Sequence, residues 1–278
     1  MGRQSLGRKW GPTGSPRGGA QRKARSPVKR NFDDVVYGIH AIEEALTAGE
    51  RLRAIHVASD RKKDAILRQL LGRAKELDVP VRFEDRTFFG QLPFKAHQGV
   101  VAVGEPFAYR SLHDVLGAPR REGSPRLFVV LDHLTDPHNV GAIVRTAEAA
   151  GADALLLPDR RSAGMNATVR KAAAGAAAHL PIARIANVAD AIRAMKKSGI
   201  WIAGADAGPD AVEMGRADMN VDLALVVGAE GSGLAPLVKR ECDYLVRIPM
   251  HGKVSSLNAS VAFAILVYEA LRQRSRTH

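Results

Sequence analysis

The sequence is poor in cysteine: Cys242 stands alone among 278 residues. A single thiol excludes a disulfide framework and any zinc site built on paired cysteines. Long apolar runs are also missing, and none reaches the ~18 residues that a membrane-spanning helix needs. The first residues lack the apolar core of a secretory signal, and no acidic side chain occurs in residues 1–30. The expectation from these absences is a soluble, cytoplasmic protein without a membrane partner.

What is present is an ordinary globular balance, 46% hydrophobic and 25% charged, in a chain long enough for one large domain or two moderate ones. The charge is uneven. Residues 1–30 hold nine Lys or Arg, three quarters of the net +12, among many Gly, Ser and Pro. Such a segment cannot bury enough apolar surface to offset its ordering entropy. Residues 1–32 are therefore expected to form a disordered basic tail that touches RNA phosphate; a merely solubilising tail is the alternative. An organellar transit segment would need an amphipathic helix, which the proline and glycine density argues against.

Residues 33–106 alternate between helical and strand patterns. "YGIHAIEEALTAG" places Ile39, Ile42, Ala45 and Leu46 at helical spacing, and "DAILRQLLGRAKELDV" turns Ile66, Leu67, Leu70, Leu71, Ala74 and Leu77 toward a core. Residues 107–124 read as a polar linker. From residue 125 to 278 strands again alternate with helices, starting with the continuous apolar run "RLFVVLD". That pattern predicts an α/β unit with a mostly parallel sheet covered on both faces. The last helix is apolar nearly all round from Val261 to Tyr268, which predicts its burial.

Ligands of open parallel sheets bind beyond the carboxyl ends of the strands. Three polar clusters fall at such ends: "DHLTDPHNVGAIVRTAEAAG", "GAEGSGL" and "MHGKVSSLNAS". The common nucleotide and hydrolase signatures do not match them. The glycines at 228, 231 and 233 are not spaced GxGxxG, no GxxxxGK[ST] exists, and Ser232 lacks the GxSxG frame. Asp132, His133, Asp136 and His138 crowd together, but no second ligand cluster completes a metal site, and no metal is expected.

The three clusters, in this order and spacing, resemble the three motifs of the SpoU/TrmH family of RNA ribose 2′-O-methyltransferases in the SPOUT class. Motif one resembles "DPHNVGAIVRTAEAAGAD", motif two "LVVGAEGSGL" and motif three "IPMHGKVSSLNASVA", and the likeness continues through "NATVRKAAAGAAAHLPIAR". "YGIHAIEEAL" and "HQGVVAV" resemble the small L30e/L7Ae-like RNA-binding domain that many members carry, so coverage runs from about residue 35 to the end. The basic tail is not part of the family pattern, and Ala259 stands where many members have valine.

The resemblance implies a donor, S-adenosyl-L-methionine, held in a trefoil-knotted C-terminal region. It implies that Gly228, Ile248 and Leu257 line the cofactor pocket, mainly through backbone, and that Asn139, Arg145, Glu230, Ser256 and Asn258 are the polar active-site positions. It also implies a homodimer with the last helix at or near the interface, and 23S rRNA as partner, with a guanosine in the peptidyl-transferase loop as target. A tRNA ribose 2′-O-methyltransferase and a noncatalytic RNA-binding or ribosome-assembly protein remain as rivals. The residue types suit the chemistry, because a ribose hydroxyl must be aligned with an activated methyl while alkoxide charge develops. Arg145 stays protonated near neutral pH, so it is expected as electrostatic stabiliser and phosphate clamp rather than as base. Plainer roles stay open: Asn139, Ser256 and Asn258 are good helix caps, Arg145 could be a solvated surface charge, and Glu230 an ordinary loop acid.

Overall fold

Short runs of β-branched residues between turn signals give the N-terminal part four strands: β1 (Val35–Tyr37), β2 (Leu52–Ala58), β3 (Val81–Glu84) and β4 (Val100–Gly104). This computed structural model describes residues 34–61, 64–120, 123–254 and 256–275; the expected basic tail lies outside the described residues. The sheet order is β1-β4-β2-β3, with β4 antiparallel to both neighbours and β3 parallel to β2. Helices α1 (Ile39–Thr47) and α2 (Ala65–Glu76) cover one face, where Ile42, Leu46, Ile55, Val57, Leu67, Leu70 and Val100 form the core. Asp64 starts α2 by accepting the Ile66 N–H at 3.0 Å. Only Leu67, Leu70 and Ala74 of α2 are buried; Ile66 and Leu77, expected in the core, are 63% and 49% exposed. A helix lying on a sheet touches it along a narrow stripe, and these two residues, in its first turn and just past its end, stand outside that stripe. The opposite face is closed by α3 (Arg86–Gly90) and by Ala167 from the larger part of the chain.

The segment expected as a linker is built into the fold as far as residue 120. Phe107 and Tyr109 pack against the larger core, and the Tyr109 hydroxyl accepts from the Met165 N–H at 2.8 Å. Next comes α4 (Leu112–Leu116), opened by a capping box of Ser111 and Asp114. Two aromatic rings with apolar surface to bury give this stretch a fixed course that its polar composition conceals.

The larger sheet holds β5 (Leu127–Asp132), β6 (Ala154–Pro158), β7 (Ile182–Ile185), β8 (Trp201–Ala205), β9 (Val212–Glu213), β10 (Leu223–Gly228) and β11 (Tyr244–Arg247). Their order is β7-β6-β5-β10-β8-β11-β9, and every pair is parallel. In β5, Leu127, Val129 and Leu131 face a core shared with α5 (Pro137–Ala149), α6 (Ala167–Ala173) and α9 (Ala259–Arg274). Phe128 and Val130 face the other core, shared with α7 (Val188–Lys197) and α8 (Pro236–Glu241). Burial on both faces is why this strand reads as an unbroken apolar run. Helix α5 lies so close to α6 that a Cβ on Gly141 would stand 2.7 Å from the Val169 carbonyl oxygen.

Helix α9 departs from expectation. It buries Ala259, Phe263, Leu266, Val267 and Ala270, but Val261 and Tyr268 remain 47% and 53% exposed. One sheet can cover only one side of a helix, so the apolar far side faces outward in the single chain. Among the described residues no helix is long and apolar enough to cross a membrane.

Candidate active site at the carboxyl ends of the parallel strands

The chain leaves β5 for the β6–β7 side of the sheet, crosses to β8, and returns to place β10 beside β5. The crevice created by such a reversal lies at the carboxyl ends of the central strands. At the end of β5, the fully buried Asp132 accepts the Ala235 N–H at 2.7 Å and pairs with His133. This carboxylate ties the chain after β10 to the end of β5. Asp132 and His133, two of the four residues that crowd together in the sequence, are thus occupied with loop anchoring.

Helix α5 begins with Asp136 accepting the His138 N–H at 3.0 Å and with Pro137 in its first turn. Capping therefore falls to Asp136, and Asn139 is free for another role. It is 6% exposed and donates from Nδ2 to Glu230 Oε1 at 3.0 Å. Glu230 lies in the turn after β10, where Ala229 and Gly233 exchange backbone hydrogen bonds of 3.1 and 2.9 Å. Gly228 starts this turn, and a Cβ there would stand 2.6 Å from Leu234 N and closer still to the Gly233 carbonyl. Both contacts are main chain and cannot swing away, so the turn requires glycine.

Asn258 opens α9. Its Oδ1 accepts the N–H groups of Ser260 at 3.0 Å and Val261 at 3.3 Å. Its Nδ2 donates to Asn139 Oδ1 at 2.9 Å and also to Glu230 Oε1. Asn139, Glu230 and Asn258 thus close a hydrogen-bonded triangle that joins the three polar clusters. Glu230 Oε1 receives both donations, and Oε2 has no hydrogen bond among the described residues.

A cavity of about 510 Å³ opens beside the triangle. Gly228, Glu230, Ile248, Ser256 and Leu257 line it, together with Val227 and Leu266. Seven of the eight residues singled out in the sequence thus gather at one place, five of them on the cavity wall itself and Asn139 and Asn258 through the triangle. Ala259 is buried in the core beneath and also borders the cavity. Arg145 is the exception: it is exposed on α5, outside the cavity wall, with no hydrogen bond or ion pair among the described residues. The sequence reading missed Asp206 and Met250, which share the lining. Asp206 follows β8, accepts the Gly208 N–H at 2.7 Å and pairs with Lys239 at 3.0 Å. An acid just past the end of a buried strand was the available signal. The lone thiol takes no part: burial pushes the Cys242 pKa up to about 12, so it stays protonated and inert.

Residues 126–268 match the SpoU rRNA methylase family, and residues 35–110 match the RNA 2′-O ribose methyltransferase substrate-binding domain. The chain is 40% identical over 242 residues to the putative TrmH family tRNA/rRNA methyltransferase YacO of Bacillus subtilis, covering 87% of this chain and 96% of the relative. Its fold is similar to the SpoU methyltransferase AviRb from Streptomyces viridochromogenes in complex with the cofactor AdoMet: TM-score 0.74, 29% identity, 87% and 90% of the two chains covered. It is also similar to the AdoMet-bound rRNA methyltransferase from Sinorhizobium meliloti, with TM-score 0.69, 27% identity and 86% of each chain covered. The α/β architecture, the N-terminal substrate-binding domain and the methylase pattern over half the chain agree, and the chain belongs to the SpoU/TrmH family of RNA 2′-O-ribose methyltransferases.

Proposed function

We propose that this protein transfers a methyl group from S-adenosyl-L-methionine to a ribose 2′-hydroxyl in RNA, its target a guanosine in the peptidyl-transferase loop of 23S rRNA. The observation that carries this reading is the Asn139–Glu230–Asn258 triangle, whose Glu230 lines the 510 Å³ cavity. The cavity suits the donor. Val227, Ile248, Leu257 and Leu266 offer apolar walls to a flat purine, and the glycines of the β10 turn present backbone where side chains would fill the space. The donor supplies a methyl already activated on a sulfonium.

The chain's task is alignment. The two asparagines hold Glu230 by Oε1, which leaves Oε2 to accept a hydrogen bond from the ribose hydroxyl and aim its oxygen. Ser256, on the cavity wall, offers a second hydroxyl contact. The guanidinium of Arg145 is exposed and makes no hydrogen bond among the described residues, which suits a substrate phosphate beside the reacting ribose.

In this reading residues 33–106, with an L30e/L7Ae-like fold, bind the RNA. Residues 107–124 connect them to a methyltransferase domain at 125–278 that carries the family's trefoil knot, and residues 1–32 bind phosphate nonspecifically. The active unit is a homodimer, supported by the exposed apolar stripe of Val261 and Tyr268 on α9.

The test is transfer of labelled methyl to unmodified 23S rRNA and, in parallel, to bulk tRNA, followed by mapping of 2′-O-methyl positions. Label at one rRNA loop guanosine is expected. Label in tRNA would move the target. No transfer to either, together with no cofactor binding, would overturn the enzymatic reading and favour a noncatalytic RNA-binding protein.

A further inference from the structure

A second concave surface lies on the small sheet and shares no residue with the cavity described above. Four of the chain's eight phenylalanines (Phe83, Phe88, Phe89 and Phe94) fall within twelve residues, in a chain only 5% aromatic. Part of this excess closes the core, with Phe94 stacked on Tyr37 at 4.2 Å between ring centres. Phe88 and Phe89 join two histidines in a continuous aromatic run. His56 stacks on Phe88 at 4.9 Å, Phe88 meets Phe89 edge-on at 5.1 Å, and Phe89 meets His97 at 5.0 Å.

Phe89, Leu92, Phe94 and His97 form the floor of a pocket of about 450 Å³, and Arg61, Arg86 and Lys95 stand around it. Asp60 is its one acidic residue and is taken by Arg86 at 3.1 Å. Arg61 is held by Asp64 and the Gln98 carbonyl, whereas Lys95 is exposed and has no partner among the described residues. His97 Nδ1 accepts the Gly99 N–H at 2.9 Å, which leaves the proton of the neutral ring on Nε2 as a donor. Burial lowers the His97 pKa and so favours that neutral form.

Although Phe89 and Phe94 expose only 6% and 9% of their surface there, a largely apolar pocket with one ring donor and a cationic rim suits a single unpaired nucleotide. Its base has a π-face that any aromatic surface accepts, its edge seeks hydrogen bonds, and its phosphates seek Arg and Lys. A duplex would keep its bases out of such a pocket, and an apolar peptide would have no use for three cations. Resting on the RNA-modifying function above, we infer that this pocket takes an unpaired base of the RNA substrate, its ring against Phe89, Phe94 and His97 and its flanking phosphates on Arg86 and Lys95.

The test uses the full chain and a single-stranded RNA of about 12 nucleotides carrying 4-thiouridine. Irradiation is expected to cross-link the thiobase to the tryptic peptide Thr87–Lys95, which contains Phe88, Phe89, Leu92 and Phe94. The double variant R86A/K95A removes exposed side chains and should bind the same strand about tenfold more weakly. The control R68A/R73A, which removes two exposed cations from α2, should change binding by less than about threefold. A hairpin in which the same sequence is paired to an added complementary arm should show no such difference between the two variants. Equal loss in both double variants would reduce the effect to bulk charge and overturn the proposal. Cross-links confined to other peptides, or unchanged binding and methyl transfer by R86A/K95A, would also overturn it; the latter would assign the surface to a protein partner. Each of these failures leaves methyl transfer intact, whereas absence of transfer by the parent chain would mark failure of the proposed function itself.

Discussion

Asn258 divides its amide between two tasks. Oδ1 caps α9 through Ser260 N and Val261 N, while Nδ2 holds Asn139 and Glu230. Asn258→Asp separates them. Aspartate is an equally good cap, but it replaces the donor with a second carboxylate oxygen opposite Glu230. The expected result is a thermal midpoint within a few degrees of the parent and methyl transfer reduced about 100-fold, the scale of losing one positioned donor. Asn258→Ala loses both tasks and should give up about 1 kcal/mol of stability as well. Melting curves and single-turnover rates for the pair decide the matter: full activity in Asn258→Asp would make the triangle a scaffold only. The residue types of this site were legible in the three sequence motifs, but their pairing was not. Asn139 and Asn258 are separated by 119 positions, and nothing in either motif says which amide end meets which partner. Arg145 shows the converse: its motif marks it as clearly as Asn139, yet in the single chain it stands exposed and apart.

Elements were legible in proportion to how completely their burial pattern shows in the side chains. β5 and β10 are apolar on both faces and could be nothing but central strands. β1, with three residues, and α3, barely more than one turn, carry too little pattern to read. Helix α9 misleads for a different reason. Apolarity all round signals cover on every side, whereas the single chain covers only one side of this helix. Val261, Ile265 and Tyr268 are spaced four and three apart, so they share a stripe, on the side away from Phe263 and Val267. That stripe is the surface expected to pair between two copies of the chain. The double variant V261D/Y268E should therefore shift the mass in sedimentation equilibrium from dimer to monomer. It should keep its helical content, because neither side chain supports the chain's own core. A parent chain that sediments as a monomer, or a variant that still dimerises, would place the interface elsewhere.

For the whole molecule, charge is distributed by region rather than by fold. Nine of the 41 Lys and Arg lie in the first 30 residues without an acid among them, so the remaining 248 residues carry a net charge of only +3. A nearly balanced body gives little long-range attraction to RNA, and its recognition must come from local arrangements such as the pocket lined by Arg61, Arg86 and Lys95. The N-terminal segment is proposed to supply the opposite: affinity that neither reads sequence nor positions a ribose. The two contributions separate by their salt dependence, since each neutralised phosphate of a single strand adds about 0.7 to the slope of log affinity against log salt. If about half of the nine cations engage phosphate, deleting residues 1–32 should lower that slope by about 3. It should also weaken binding strongly at low salt and little at high salt, because the released counterions are what drive the lost part. The methylated nucleotide should stay the same, because no residue of the triangle or its cavity lies in the deleted segment. The check is RNA affinity of the full and shortened chains across a salt series, with methyl mapping at one salt. Parallel slopes would show that the basic segment does not touch the RNA, and a moved methylation site would show that it helps to choose the target.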